Sequence, residues 1–125
     1  MSHIHDAIDF TVTAIIVNGG RVLLVHHKAL NKWLPVGGHV ELNEDTDQAL
    51  LREIEEECGL SKKDLEFVEN RPEINADTKF LLVPQYIEIH EINETHRHLN
   101  LNYFVKSKSD KIKLGGLPDN PCHRE

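Results

Sequence analysis

Three carboxylates at short spacing, Glu53, Glu56 and Glu57, are the residues of this chain best arranged to do chemistry together. On an α-helix each residue advances by about 100°, which places Glu57 at about +40° and Glu56 at about −60° from Glu53. Arg52 is the one basic residue close to them in the sequence, so their mutual repulsion is unfavourable unless a cation is bound. The spacing indicates a metal site and leaves a solvated acidic helix face open as the alternative.

The atoms that this helix face offers point to a type of ion. Carboxylate oxygens without thiolates favour a hard cation, and an incomplete set of carboxylates leaves positions for water and phosphate oxygens. These properties favour Mg²⁺ or Mn²⁺ over a structural Ca²⁺ ion. A bound cation would also let a net negative chain bind a polyphosphate.

Histidines and one tryptophan are further candidates for ligand contact. His96 and His98 have the spacing of one strand face, where neutral imidazoles can contact a base, a phosphate or a metal; solvated loop histidines are the alternative. His39 directly follows Gly38 and can approach a substrate there. Trp33 can stack on a nucleobase or can simply pack against its neighbours.

The helix that must carry the carboxylates is predicted over residues 45–58. Asp45 with Gln48 forms a capping box, and Gly59 followed by Leu60 is typical of a helix C-terminus. Its apolar side chains share a second face, which is predicted to pack on the core: Leu50, Leu51, Ile54 and Cys58.

Strands are predicted before and after this helix. A hairpin is expected from residues 10–17 and 22–26, because Asn18-Gly19-Gly20 between them tolerates positive φ. Residues 33–38, an apolar piece with a proline and then two glycines, are expected to form a loop. Further strands are expected at 79–88 and 99–105, with a shorter candidate at 65–69. The order predicts an α+β fold with a mixed or antiparallel sheet.

Composition limits the class of protein. The chain has 125 residues with 14 Lys and Arg against 21 Asp and Glu, for a formal net charge of −7. This predicts one domain over residues 1–125, without the basic field that draws proteins to nucleic acid or anionic membranes. The polar N-terminus and the absence of a long apolar run favour a cytoplasmic protein.

Residues 38–60 carry a longer pattern, Gly38-x5-Glu44-x7-Arg52-Glu53-Ile54-x-Glu56-Glu57-x-Gly59-Leu60. This pattern resembles the Nudix box, and every fixed position of the box is present. The flanks also resemble the family, with a hairpin before the box and a strand pair after it.

The resemblance implies an α/β/α Nudix sandwich with a loop–helix–loop motif. It implies that divalent ions are bound by Glu53, Glu56, Glu57 and the backbone carbonyl of Gly37. It further implies that Arg52 orients Glu53, that Glu44 supports this ion-pair network, and that Gly38 and Gly59 allow the turns.

The implied activity is Mg²⁺-dependent hydrolysis of a nucleoside diphosphate linked to another moiety, with Mn²⁺ able to substitute. Glu53 is the candidate general base, and Glu91 or Glu94 is the alternative, since members of this family also use a glutamate outside the box. A nucleotide-sensing module without turnover is the alternative function. An isomerase variant of the fold needs a catalytic cysteine. Cys58 is predicted on the apolar helix face, so it is a poor candidate for that role.

Two departures from the family bear on substrate and assembly. Secondary signatures of several substrate groups are absent, which leaves nucleoside triphosphates or modified nucleotides as the expected small-molecule substrates. The stretch after residue 113 is loop-like, so a C-terminal helix is expected to be missing and the domain truncated. A homodimer would cover a sheet edge or layer left open in this way.

Overall fold

The strands and the helix form in the predicted order around one mixed sheet. The computed structural model describes residues 7–67, 77–112 and 122–124. The strands are β1 (Ala7–Asn18), β2 (Arg21–His27), β3 (Lys32–Leu34), β4 (Val36–His39), β5 (Leu65–Phe67), β6 (Tyr86–Asn93), β7 (His96–Ser107) and β8 (Cys122–Arg124). The helix α1 spans Thr46–Cys58 and is the one α-helix within the described residues.

The long strands β1 and β7 lie parallel at the centre of the sheet. They pair from Ala7–His96 to Val17–Lys106. On the other side of β1, β2 pairs near the hairpin turn and β4 pairs with Thr11 to Ala14. On the other side of β7, β6 and β5 pair with successive parts of the strand. All these outer pairings are antiparallel, so the sheet is mixed, as predicted.

The core lies between α1 and one face of this sheet. Val12, Ala14 and Ile16 alternate along β1 and pack with Leu50 and Ile54 of the helix. Each such fully buried Val, Leu or Ile side chain contributes about 1.5–3 kcal/mol. Cys58 is completely buried in the same cluster, which confirms its predicted place on the apolar face.

Both ends of α1 have the predicted caps. The Asp45 carboxylate accepts a hydrogen bond from the Gln48 N–H, and the Gln48 side chain accepts one from the Asp45 N–H. Gly59 takes a left-handed conformation with φ of 74°, and its N–H donates to the Glu55 carbonyl. The helix therefore begins and ends where its local sequence satisfies the free backbone groups.

The prediction of a strand over residues 79–88 is wrong for the first part of that range. Residues 78–84 are irregular, and β6 begins at Tyr86. The Leu82 N–H donates to the buried Asp47 carboxylate, and Pro84 has no N–H for a strand ladder. This segment is therefore held to the helix and not to a neighbouring strand.

Other boundaries also differ from the sequence prediction. The loop expected around residues 33–38 contains two short strands, β3 and β4, separated by Pro35. The strand predicted over residues 99–105 is longer in the structure, where β7 spans His96–Ser107. The predicted strand at 65–69 is observed over Leu65–Phe67, and its end lies outside the described residues.

The C-terminal stretch was expected to be loop-like. Within it, residues 122–124 form β8, which pairs antiparallel with β2. Residues 113–121, on which the expected absence of a helix mainly falls, lie outside the described residues. Among the described residues, no helix is long and apolar enough to cross a bilayer.

Candidate functional site

Arg52 holds the acidic residues of the site together. Its Nε and Nη2 donate to the two carboxylate oxygens of Glu44 at 2.6 and 2.8 Å. Its Nη1 donates to Glu53 at 2.8 Å and to Glu56 at 3.1 Å, and Nη2 also reaches the His39 carbonyl at 2.9 Å. The guanidinium therefore links α1, the loop before it and the end of β4, as only a planar fork of donors can do.

Glu44 is itself fixed by the backbone. Its Oε1 accepts a hydrogen bond from the Glu41 N–H at 2.9 Å. Hydrogen bonding to Arg52 is the main cause that holds the pKa of Glu44 below its usual value. The carboxylate of Glu44 therefore stays charged and keeps Arg52 in place.

Glu57 lies on the other side of the acidic face, against β4. Its Oε2 accepts a hydrogen bond from the Gly37 N–H at 3.1 Å. Burial, together with the nearby charge of Glu53, raises the pKa of Glu57 to about 8. Burial also raises the pKa of Glu53, against the opposing effect of Arg52.

The acidic face thus has more carboxylates than nearby positive charges. Glu53 and Glu56 both bind Arg52, which is already bonded to Glu44 at two of its nitrogens. For Glu57, the charge of Arg52 has a smaller effect than burial and the charge of Glu53. A raised carboxyl pKa means that the charged form lacks sufficient compensation, which a bound divalent cation would supply. The donor set of carboxylate oxygens beside a backbone loop fits a hard divalent ion.

Two glycines let β4 approach the helix and the central strand. A Cβ atom at Gly38 would overlap the Glu53 carboxylate, and a Cβ atom at Gly37 would overlap the Val12 carbonyl oxygen. Any larger residue at Gly38 would displace Glu53. The close approach therefore explains why β4 needs glycine at both positions.

A cavity of about 410 Å³ opens beside Glu57 and these glycines. Its walls come from β1, β2, β4, β6 and β7 and from residues 34–35. The polar residues that line it are Thr11, Thr13, His27, His39, Glu57, His90, His98 and Asn100. Its volume lies within the range of about 300–1,000 Å³ that is usual for small-molecule sites.

The structure brings some of the predicted ligand contacts to this cavity. His39 and His98 both line it, with their ring centres 4.9 Å apart. His96 lies beside His98 in β7, with ring centres 5.2 Å apart, and binds Asp9 at 3.0 Å. The two histidines therefore belong to a strand, and the alternative of loop residues before a strand is wrong.

Other predicted contacts lie elsewhere. The Trp33 ring contacts the His26 ring at 5.0 Å, while the neighbouring Leu34 lines the cavity. Glu91, in β6, pairs with Arg97 of β7 and lies on the opposite strand face from His90. Glu94 lies in the turn that follows β6. The structure does not place Trp33, Glu91 or Glu94 among the residues that line the cavity.

Sequence reasoning missed a polar network on the cavity wall. Thr11 and Thr13 donate hydrogen bonds to the Asn100 side-chain oxygen at 2.8 and 3.0 Å, and the Asn100 amide donates to Glu88 at 3.1 Å. These bonds orient the amide of a buried asparagine. The signal was the alternation of Asn100 and Asn102 with apolar residues, which marks one polar strand face.

Asp9 and His90 were also missed, because their positions depend on strand pairing. Asp9 pairs with His98 across β1 and β7, and His90 pairs with His98 across β6 and β7. Burial first, and then the neighbouring imidazoles, lower the pKa of His98. The ring of His98 is therefore neutral near pH 7.

Comparisons with known proteins identify the family to which this fold belongs. The model of the NUDIX domain family matches residues 8–117. No curated protein matches the chain. A hydrolase of the NUDIX family from Clostridium perfringens is similar in structure, with a TM-score of 0.77 and 29% sequence identity over 94% of this chain and 80% of that one.

Two more distant structures share the fold. A MutT NUDIX hydrolase from Burkholderia pseudomallei has a TM-score of 0.67 at 21% identity, covering 94% of this chain and 82% of that one. An Ap4A hydrolase from C. elegans has a TM-score of 0.64 at 20% identity, covering 93% and 80%. The family match covers most of the chain and the fold agrees with the expected mixed sheet and loop–helix–loop, so this chain belongs to the NUDIX family and is a hydrolase.

Proposed function

We propose that this hydrolase is a pyrophosphohydrolase, which cleaves a nucleoside diphosphate linked to a second moiety and depends on Mg²⁺. The observation that carries the proposal is the placement of Glu57 in the cavity wall, next to Glu53 and Glu56 on the same helix face. Burial raises the pKa of Glu53 and of Glu57, as expected of carboxylates whose charge a bound cation would compensate.

Glu53, Glu56, Glu57 and the Gly37 carbonyl would hold the metal, and Mn²⁺ fits the same oxygen donors. When bound, the ion would neutralise the diphosphate oxygens, polarise the phosphorus and lower the pKa of water. Arg52 would keep Glu53 in place through the 2.8 Å bond between them, while Glu44 would keep Arg52 in place.

Glu53 is our candidate for the general base. Its side chain is mostly buried beside Arg52, and its pKa is raised by burial, which brings a carboxylate closer to the pKa that general-base catalysis favours. The base takes a proton from water as the water oxygen bonds to phosphorus and the phosphoanhydride P–O bond breaks. The products would be a nucleoside monophosphate and the phosphorylated second moiety. Glu91 and Glu94, away from the cavity lining, have less support.

Nucleoside triphosphates or modified nucleotides are the proposed substrates. The cavity volume of about 410 Å³ is within the range usual for small-molecule sites, which is compatible with a nucleotide. His39, His98 and the Asn100 network supply polar contacts in the cavity that Glu57 also lines. The Ap4A hydrolase shares the fold at 20% identity, which does not extend its substrate to this chain.

The test is product analysis by chromatography across nucleoside triphosphates, oxidised nucleotides and nucleotide sugars, with Mg²⁺ and with EDTA. We expect metal-dependent release of a nucleoside monophosphate. Glu57→Gln should remove most turnover and leave the fold intact, whereas Glu55→Gln, an exposed glutamate of the same helix, should leave turnover unchanged. Nucleotide binding without turnover in the folded wild-type chain would favour the sensing module instead.

The remaining expectations concern partners and surroundings. The net charge of −7 argues against nucleic acid and anionic membranes as partners, whereas a small nucleotide would be bound locally through the cation of the acidic face. One domain over residues 1–125, a cytoplasmic location and a homodimer stay predictions. Sedimentation velocity tests the homodimer, and a monomer across the working concentrations would remove it.

A further inference from the structure

We propose that Asp9, His39 and His98 form a second metal site, for Zn²⁺ or a similar borderline cation, at the cavity wall and separate from the glutamates of α1. Each residue offers one ligand atom, and the three atoms lie within 4.8 Å of one another. Nitrogen donors with one carboxylate favour Zn²⁺, Co²⁺ or Ni²⁺, whereas the all-oxygen box favours Mg²⁺. The two sites therefore differ in chemistry, and this proposal does not depend on the proposed function.

The pairing of three strands brings the ligands together. Asp9 of β1 lies directly opposite His98 of β7. His39 of β4 pairs with Thr11, two residues after Asp9 and so on the same face of β1. Side chains at paired and diagonal positions on one sheet face lie within reach of each other. The framework of the site is thus hydrogen-bonded backbone.

The spacing of the donor atoms fits an ion after a small adjustment. Ligands about 2.1 Å from a tetrahedral zinc ion lie about 3.4 Å apart, so the donors must approach by roughly 1 Å. Rotation of the side chains supplies this movement, because Asp9 and His39 are about half exposed, at 46% and 56%. The Asp9–His39 distance of 3.8 Å is already close to the required value.

Neighbouring groups support ligation. His96 holds the Asp9 carboxylate at 3.0 Å, which is the kind of outer contact that orients ligating carboxylates in metal sites. The His90 ring lies 5.7 Å from the His98 ring, so four imidazoles are gathered beside one carboxylate.

A site with three protein ligands keeps a fourth position open for water or for a ligand atom. Because His39 and His98 line the cavity, an ion held by them would lie at its wall. It would contact a phosphate or base of a molecule bound in this cavity.

The test is a titration of the full chain with Co²⁺, followed by visible absorption, in the presence of excess Mg²⁺ to occupy the acidic face. We expect one Co²⁺ per chain with the intense bands of a four-coordinate ion, displaced by Zn²⁺. His39→Gln and His98→Gln should each weaken binding by about 10- to 100-fold or more, since even outer partners of metal ligands are worth that much.

Three controls separate this site from others. His26→Gln, whose ring contacts Trp33 outside the cluster, should bind Co²⁺ as the wild type does. The double variant His3→Gln/His5→Gln excludes the N-terminal histidines, and Glu53→Gln/Glu57→Gln excludes the acidic face. The proposal is overturned by no stoichiometric binding, by binding that survives both cluster substitutions, or by binding lost in any control variant. All these readouts report metal binding, so they are independent of whether a nucleotide is hydrolysed.

Discussion

At the scale of single residues, the site depends on how one guanidinium is shared. Arg52 donates to Glu44, Glu53 and Glu56 and to the His39 carbonyl, which uses its whole fork of donors. A lysine has the same charge but cannot match the two oxygens of Glu44 and reach β4 at once. Geometry, and not charge alone, is therefore what Arg52 contributes.

Arg52→Lys tests this conclusion. We expect turnover to fall by about 10- to 100-fold, with a weaker apparent affinity for Mg²⁺, because Glu53 loses its positioning contact. Steady-state kinetics across a Mg²⁺ series measures both effects. Arg21→Lys, an exposed substitution in the first hairpin, serves as the matched control. Wild-type kinetics in Arg52→Lys would contradict a positioning role.

At the scale of elements, the junction of β4 with β1 and α1 sets the geometry of the acidic face. Gly37 faces the backbone of β1, while Gly38 faces the flexible end of the Glu53 side chain. Backbone cannot yield locally, whereas a side chain can rotate away. The two glycines therefore have different consequences when replaced.

Gly37→Ala and Gly38→Ala form a matched pair of variants. Gly37→Ala should destabilise the fold by about 1–3 kcal/mol, as overpacking does, because its Cβ would press on the Val12 carbonyl. Gly38→Ala should lose less stability and more turnover, because it displaces Glu53. Urea unfolding and the product assay measure the two effects. Equal losses of stability in both variants would contradict this distinction.

The N-terminus of α1 gives a second prediction at this scale. Asp45→Ala removes the cap of the Gln48 N–H and should cost about 1 kcal/mol of the free energy of unfolding. Asp45 also binds Lys79 at 2.6 Å, and Lys79→Ala removes this exposed pair while keeping the cap. Lys79→Ala should cost less, because exposed ion pairs contribute about 0–1 kcal/mol. Urea unfolding of both variants separates the contribution of the cap from that of the ion pair. A larger loss of unfolding free energy in Lys79→Ala than in Asp45→Ala would contradict the prediction.

At the scale of the whole molecule, the acidic face couples stability to pH and metal. The pKa of Glu57 is about 8 in the fold, against an ordinary value of 4.5. Between these values the folded chain holds a proton that the unfolded chain has released. Stability from Glu57 is therefore present at low pH and is lost as the pH rises from about 4.5 to 8.

Thermal unfolding in EDTA measures this effect. Relative to Glu57→Gln, the wild-type Tm should fall as pH rises through that window, while Glu55→Gln should follow the wild type. Mg²⁺ should reverse the fall and stabilise most at the alkaline end, where the carboxylates are ionised. A Tm difference between wild type and Glu57→Gln that is constant with pH would contradict the coupling.

The sequence alone determined the parts of this protein that depend on local or periodic information. The helix, its Asp45 and Gly59 caps, the first hairpin and the common face of the three glutamates follow from neighbours a few residues apart. Such features form from short-range hydrogen bonds and side-chain spacing, so they can be predicted without the fold.

Only the tertiary structure decided which distant residues meet. The irregular path of residues 78–84 depends on a hydrogen bond to Asp47, 35 positions away from Leu82. The cluster of Asp9, His39 and His98 depends on the register of three strands, and a shift of one residue would turn each side chain to the other face. Register is settled by burial and pairing across the whole sheet, which is why the sequence pattern found the acidic face but not the cavity beside it.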